Sequence, residues 1–503
     1  MVARASNVAA RGAGRRSWLA AALISALLCG WLLGGCATTI PEVENRSVSN
    51  AFAAPETTVL GQFFQPEMDA HPGSSGITLL TTGETSFRAR TGLANLAEKT
   101  IDAQYYIWDV DTSGSILAER VLRAADRGVR VRLLIDHVTT KDTDFKFARM
   151  DEHPNIEIRL FNPFANRSFR ELELAFSLER LNHRMHNKAF IVDNAIAIVG
   201  GRNIGDNYFG VDTAANYRDL DLAMAGPVVQ DISDSFDVYW NSDLAIPISS
   251  IIDEDMTAAE FAGAKQALYR WVQEQENYPY PIDTTGDALL ALMEERRGDL
   301  VWAPARALYD DPDKLYTSEE KVADALVKIG DEQDHEIILE SAYVVPTPSG
   351  VDTDRVRKRG GVKRRLLTNS LATNDVLAVH AAYARSRREL LENGVELYEL
   401  RPDAPDVQQE WSLLAGRSRA SLHTKAVVAD RKIVVIGSFN LDPRSISLNT
   451  EIVIMVENAE LAERVLDYLD QGVRPENSYR VLLEIDEDTG AERLVWVTAV
   501  SYT

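Results

Sequence analysis

Two short stretches of the chain place a histidine, a lysine and an aspartate at one spacing. The first is His186-Asn187-Lys188-Ala189-Phe190-Ile191-Val192-Asp193, followed at a fixed offset by Gly200-Gly201-Arg202-Asn203. The second is His423-Thr424-Lys425-Ala426-Val427-Val428-Ala429-Asp430, followed at the same offset by Gly437-Ser438-Phe439-Asn440. So many residue types at matching offsets do not recur in one chain by accident. On a strand, alternate residues face one way, so His186 and Lys188 share a face, as do His423 and Lys425. Asp193-Asn194 and Asp430-Arg431 suit hairpin turns, after which Ala195–Val199 and Lys432–Ile436 run back to small residues. Those small residues let backbone N–H groups approach an anion, and Ser438, Asn203 and Asn440 add side-chain donors. Converging on one point, two histidines, two lysines and two asparagines make a cationic phosphate pocket. One imidazole attacks phosphorus, the other protonates the leaving oxygen, and the lysines neutralise transition-state charge.

His186, Lys188, Asp193, His423, Lys425 and Asp430 are therefore the candidate catalytic set, with the two aspartates read as holding turns and strand pairs. A neutral nucleophilic imidazole needs an acceptor on its other nitrogen. Glu451, which opens an apolar strand in the second half, is the candidate there, and Asp219 is the candidate in the first half, ahead of Asp221. His71, His137, His153, His183, His335 and His380 fall outside the motifs and read as surface or satisfied core residues. No histidine pair has ligand spacing such as His-Glu-x-x-His, so no metal and no cofactor is expected.

These residues need a scaffold, and the sequence supplies one twice. In the first half Ile101 to Trp108 reads as a strand, a helix follows with apolar Ile116, Leu117, Val121 and Leu122, and Gly128-Val129 leads into a basic-then-apolar strand. In the second half Ile337 to Val345 and Gly361-Val362-Lys363-Arg364-Arg365-Leu366-Leu367 repeat the pattern. Alternating strands and helices predict an α/β fold. The predicted divisions are 1–36 export signal, 37–75 tether, 76–260 first half, 261–320 helical connector and 321–503 second half, which ends in a hairpin turning at Asp488-Thr489-Gly490. Tyr105, Tyr106 and Trp108 read as strand core, and the basic run from Arg355 to Arg365 as a solvated helix end.

The start of the chain has Arg4, Arg11, Arg15 and Arg16, then an apolar run from Trp18 to Leu33 that is short for a membrane span. It ends in Leu33-Gly34-Gly35-Cys36, which resembles the lipobox of bacterial lipoproteins and makes Cys36 the candidate lipidation site. Cys29 and Cys36 are the only cysteines, so a chain processed there carries no disulfide and no thiol nucleophile. A formal charge of −23 argues against a nucleic-acid partner.

With both motifs in place, the chain resembles the phospholipase D superfamily. Asp102-Ala103-Gln104-Tyr105-Tyr106-Ile107-Trp108, Arg184-Met185-His186-Asn187-Lys188, Gly200-Gly201-Arg202-Asn203-Ile204-Gly205-Asp206 and Asn440-Leu441-Asp442-Pro443-Arg444-Ser445 are most similar to bacterial cardiolipin synthases of the C type. The resemblance implies two similar α/β/α sandwich halves with one active site at their seam. It also implies a metal-free covalent phosphohistidine, with His186 as nucleophile and His423 as general acid. Gly201 departs from the pattern, standing where many relatives have Ser, and Arg202 and Arg444 either bind a lipid headgroup or brace the seam between halves. The activity implied is phosphatidyl transfer to make cardiolipin, with phospholipase D hydrolysis, an exported nuclease and a non-catalytic lipid-binding lipoprotein as alternatives. The implied partners are phospholipids (phosphatidylglycerol, phosphatidylethanolamine or cardiolipin) and a membrane reached through a lipid anchor, with the protein a monomer. Ala37 and Thr38 after the cysteine point to the periplasmic face of the outer membrane.

Overall fold

The β-branched runs of the two halves assemble into two nine-stranded sheets. A computed structural model describes residues 43, 46–140, 143–164, 178–252, 256–282, 285–317, 319–346, 361–408, 418–486 and 490–498. Cys36 and the export signal, residues 355–360 of the basic run, and residues 488–489 of the last hairpin turn lie outside the described residues. Every element below belongs to one compact unit, residues 43–163 and 179–503; the other unit, 1–42 with 164–178, lies almost wholly outside the described residues.

Across the first sheet the order is Ala245–Pro247, Ile156–Phe161, Arg130–Asp136, Thr100–Tyr105, Ala189–Val192, Ile196–Gly200, Asp221–Ala225, Ser75–Leu80 and Val301–Ala303. Across the second it is Ala305–Tyr309, Ile452–Glu457, Ile433–Gly437, Lys425–Ala429, Glu336–Ser341, Lys363–Asn369, Val395–Leu400, Ser478–Ile485 and Glu492–Val497. Each sheet joins a parallel trio to the antiparallel motif hairpin at its centre, through Gln104 opposite Ala189 and Ser341 opposite Lys425. The parallel strands need crossover helices. Thr112–Asp126 is one such helix, capped by Asp111 accepting from Gly114 N at 2.9 Å, with Ile116, Leu117 and Val121 fully buried.

The two sheets share a core. Helix Pro227–Trp240 of the first half and helix Ala459–Gly472 of the second contribute Ile232, Phe236, Val465 and Leu469 to one apolar cluster. The same cluster takes Val199 and Leu222 from the first sheet and Val428 and Ile454 from the second. Burial of this kind stabilises by about 25 cal/mol per Å² of apolar surface, so the halves are joined as one hydrophobic body.

Two segments differ from expectation. The 261–320 connector is helical over Ala258–Gln273 and Gly286–Glu295, but it also supplies an edge strand to each sheet. Val301–Ala303 runs antiparallel to Ser75–Ile77, and Ala305–Tyr309 runs antiparallel to Ile452–Val456. Pro304 sits between them, where the chain leaves one sheet for the other and no ladder N–H is needed. The 37–75 tether likewise contains a real helix, Val59–Ala70. Thr58 caps it by accepting from Gly61 N, and Leu60 and Phe64, spaced one turn apart, are buried.

Candidate active site

Two small parallel strand pairs bring the reacting groups together. Arg184–Met185 of the first half pairs with Asn449–Thr450 of the second, in a register that sets Met185 opposite Thr450. The next residues along are His186 and Glu451, and His186 Nδ1 donates to Glu451 Oε2 at 2.8 Å. Ala215–Arg218 pairs with Arg419–Leu422, setting Arg218 opposite Leu422. Asp219 and His423 follow, and His423 Nδ1 donates to Asp219 Oδ2 at 2.7 Å. Each imidazole is thus held by a carboxylate from the opposite half, and this fixes Nε2 as the free nitrogen of both rings.

Lys188 and Lys425 donate to the carbonyls of their own motif histidines at 2.6 and 2.5 Å. All four motif side chains are buried. Burial pushes His186 well below the ordinary imidazole range, and the positive charges of Lys188 and Lys425 add to the effect. His423 is also lowered by burial and by Lys425, but the Asp219 carboxylate pulls it back up. Asp219 stays below the usual carboxylate range despite its own burial, chiefly because of His423, whereas burial raises Glu451. Burial lowers Lys188 well below the usual ammonium range and brings Lys425 down to about 8. The two histidines are therefore not equivalent. Burial shifts both rings toward the neutral form, His186 the further, and His423 alone has an ionised acid opposing the shift.

The carboxylates differ in their supports. Glu451 accepts from Ser438 Oγ at 2.5 Å. The matching position in the first half is Gly201, where an added Cβ would lie 2.1 Å from Asp219 Oδ1. Aspartate is one methylene shorter than glutamate, so its backbone must come closer, and only glycine leaves the room. Ser438 is an orienting residue for Glu451 here. Asn203 accepts from Ile107 N at 3.1 Å and donates to Tyr208 Oη at 3.0 Å. Asn440 keeps a buried side-chain oxygen with no partner among the described residues.

The motif aspartates are away from the chemistry, which corrects their place in the catalytic set. Asp193 accepts from the backbone N–H groups of Glu98, Lys99 and Thr100, and Asp430 from those of Asp334, His335 and Glu336. Each sits at the far end of its strand from the histidine, about 20 Å along the chain. Asp193 and Asn194 (φ 54° and 51°), like Asp430 and Arg431 (φ 48° and 53°), form the left-handed pairs that tight hairpins require. Asp221, the less favoured acceptor, instead takes Arg90 Nη2 at 3.0 Å and Ser86 Oγ at 3.1 Å. Arg202 is buried on the carbonyls of Leu80, Thr81 and Tyr208, and Arg444 spans the seam to Asn182, so both brace the protein.

Aromatic residues complete the walls. Tyr106 stands edge-on to His186 with ring centres 5.2 Å apart, while its neighbours Tyr105 and Trp108 are core. Tyr208 and Tyr217 lie 5.2 Å from the His423 ring. The Tyr-Tyr pair was visible in the sequence, but one strand sends its residues to opposite faces, and only the fold tells which ring meets the site. Tyr208 and Tyr217 carried no motif signal.

A doubled α/β scaffold with two His-x-Lys units, each imidazole backed by the other half's carboxylate, defines a two-histidine phosphoryl-transfer site. The family described as "Cardiolipin synthase, PLD-like domain" matches residues 92–240 and 332–472. The chain belongs to this phospholipase D-like family. It is 42% identical over 407 residues to cardiolipin synthase C of Escherichia coli (strain K12), covering 80% of this chain and 85% of that protein. It is 33% identical over 420 residues to an uncharacterized protein of Helicobacter pylori (strain ATCC 700392 / 26695), covering 82% of each. In fold it is similar to the phosphatidylserine synthase of Haemophilus influenzae Rd KW20, with a TM-score of 0.53 at 13% identity over 83% of this chain and 92% of that one. Among the described residues no helix is long and apolar enough to cross a membrane.

Proposed function

We propose that the protein transfers a phosphatidyl group between phospholipids and so makes cardiolipin. His186 Nε2 attacks phosphorus, the bond from phosphorus to the headgroup oxygen breaks, and His423 Nε2–H protonates the departing alcohol. A hydroxyl of phosphatidylglycerol then gives its proton to His423 and attacks the phosphohistidine, the P–N bond breaks and His186 returns to its neutral form. The observation that carries this reading is the crossed pairing of His186 with Glu451 and His423 with Asp219. The unequal electrostatics of the two rings support the division of roles. Lys188 and Lys425 are the groups offered to the phosphate.

Hydrolysis differs only in that water replaces the lipid hydroxyl. Incubating the purified protein with labelled phosphatidylglycerol, with and without phosphatidylethanolamine, and identifying products by mass spectrometry decides between them. Cardiolipin with release of the free head alcohol is the expected result. Phosphatidic acid alone makes the enzyme a hydrolase, and no turnover of either lipid overturns the phospholipid reading.

The same proposal places the enzyme on a bacterial envelope membrane through a lipidated Cys36, with Leu33-Gly34-Gly35-Cys36 as its support. A labelled fatty acid should enter the wild type and not the Cys36→Ser variant. A wild type recovered unlabelled and free of membranes overturns the anchor.

A further inference from the structure

The segment between strand Lys363–Asn369 and helix Leu377–Glu392 displays three large apolar side chains to solvent within seven residues. Leu371 is 61%, Val376 39% and Leu377 69% exposed. Single exposed leucines are ordinary on a protein surface, but a cluster of them on one short loop is not. The loop does not collapse because it is held by its own polar bonds. Thr373 N and Asn374 N donate to the Ser370 carbonyl, and Asn374 Oδ1 accepts from Val376 N at 2.7 Å.

Its position ties it to the reacting groups. Asn369 donates to the Leu422 carbonyl at 2.8 Å and accepts from Leu422 N at 2.8 Å, and Ser421 Oγ donates to the Thr373 carbonyl at 2.6 Å. Leu422 immediately precedes His423. Asp375, midway along the loop, accepts from Tyr343 Oη at 2.7 Å and from Tyr217 Oη at 3.4 Å, and Tyr217 packs on the His423 ring. The apolar tip therefore stands at the mouth of the site, one tyrosine away from the general acid.

We infer that residues 371–377 form a lip that inserts into the lipid surface and seats the His423 side of the site against the headgroups. This rests on the phospholipid reading above. The net charge of −23 does not draw the chain to anionic lipid, and a tether at Cys36 would hold the protein near the membrane without seating the site, so apolar insertion is the contact left for the site itself. The opposite end of the sheet provides a control. Strand Ser478–Ile485 starts beside Leu400 at the site end and runs away from it, leaving Ile485 exposed at the far end.

The full-length protein is assayed on vesicles of phosphatidylglycerol and phosphatidylethanolamine, and on dispersed dihexanoyl phosphatidylglycerol. Leu371→Ser combined with Leu377→Ser should lower turnover on vesicles by about tenfold, given the free energy of burying two leucines, and leave turnover of the dispersed lipid unchanged. Ile485→Ser should change neither. Equal rates on vesicles, or equal losses on both substrates, overturn the lip. A second readout does not depend on catalysis. An environment-sensitive dye on Leu377→Cys, with the signal of the labelled parent subtracted, should shift to the blue when vesicles are added, and the same dye on Ile485→Cys should not. No shift at position 377, or the same shift at both, overturns the inference even if the enzyme's substrate is something else.

Discussion

At the scale of single residues, the site divides labour between two histidines that the sequence motif makes identical. His186 is lowered further than His423, because burial and two lysines act on it without an ionised acid pulling back as strongly. Removing either imidazole should reduce turnover by about 10²–10⁴-fold or more. The difference appears with a phosphodiester carrying a nitrophenol leaving group, which needs no proton to depart. His423→Ala should regain most of its first-step rate on that substrate and His186→Ala should not, as followed by release of the phenolate. Rescue of His186→Ala instead would reverse the roles. Lys425 adds a pH limb. Its ammonium is brought down to about 8, chiefly by burial, so the charge is present below that pH and lost above it. The free enzyme's kcat/KM should therefore fall as pH rises through about 8. In Lys425→Arg, whose charge does not titrate there, the limb should disappear or move up, and an unchanged limb would assign it to another group.

At the scale of elements, the hairpins matter as much as the histidines they carry. Asp193→Ala strips the acceptor from three backbone N–H groups at the base of the first hairpin, of which that of Thr100 is buried, and a buried orphan costs about 1–3 kcal/mol. The expected result is a clear drop in the urea midpoint with kcat within about threefold of wild type; a large fall in kcat with normal stability would return the aspartate to the chemistry. Gly201→Ser differs in reaching the chemistry directly. Its Cβ would press on Asp219, so turnover should fall by about tenfold alongside an overpacking cost of about 1–3 kcal/mol, and the activated phosphodiester should recover the loss of rate but not of stability. The hairpins were legible because strand period, turn residues and small residues all agreed over a few positions. The strands Val301–Ala303 and Ala305–Tyr309 were not, because each is short, lies at a sheet edge and is separated from the other only by Pro304. Helix Val59–Ala70 hid for a similar reason, its two buried apolar side chains, Leu60 and Phe64, being set among glutamines, a glycine and a proline.

At the scale of the whole molecule, the repeat explains why a duplicated sequence yields one site. Local reading found Glu451 and Asp219 as acceptors, but which acid meets which histidine is decided by how the halves pack. The small parallel strand pairs cross the seam, and each exchanges a histidine of one half for an acid of the other. Buried charge reinforces the crossing, since Arg218 of the first half donates to Glu340 of the second at 2.9 Å beside Asp219. The crossing makes a prediction that pairing within each half does not. Asp219→Asn should act through His423, although the two lie 204 residues apart, and so should add little to the first-step defect of His423→Ala. Combined with His186→Ala, where the two substitutions share no contact, its effect should persist in whatever residual activity can be measured. Glu451→Gln should show the mirror pattern, merging with His186 and adding to His423. The measurement is a pair of double-mutant cycles on the first-step rate with the natural headgroup. If Asp219 instead couples to His186, its partner within the same half of the chain, the seam is not the place where the active site is made.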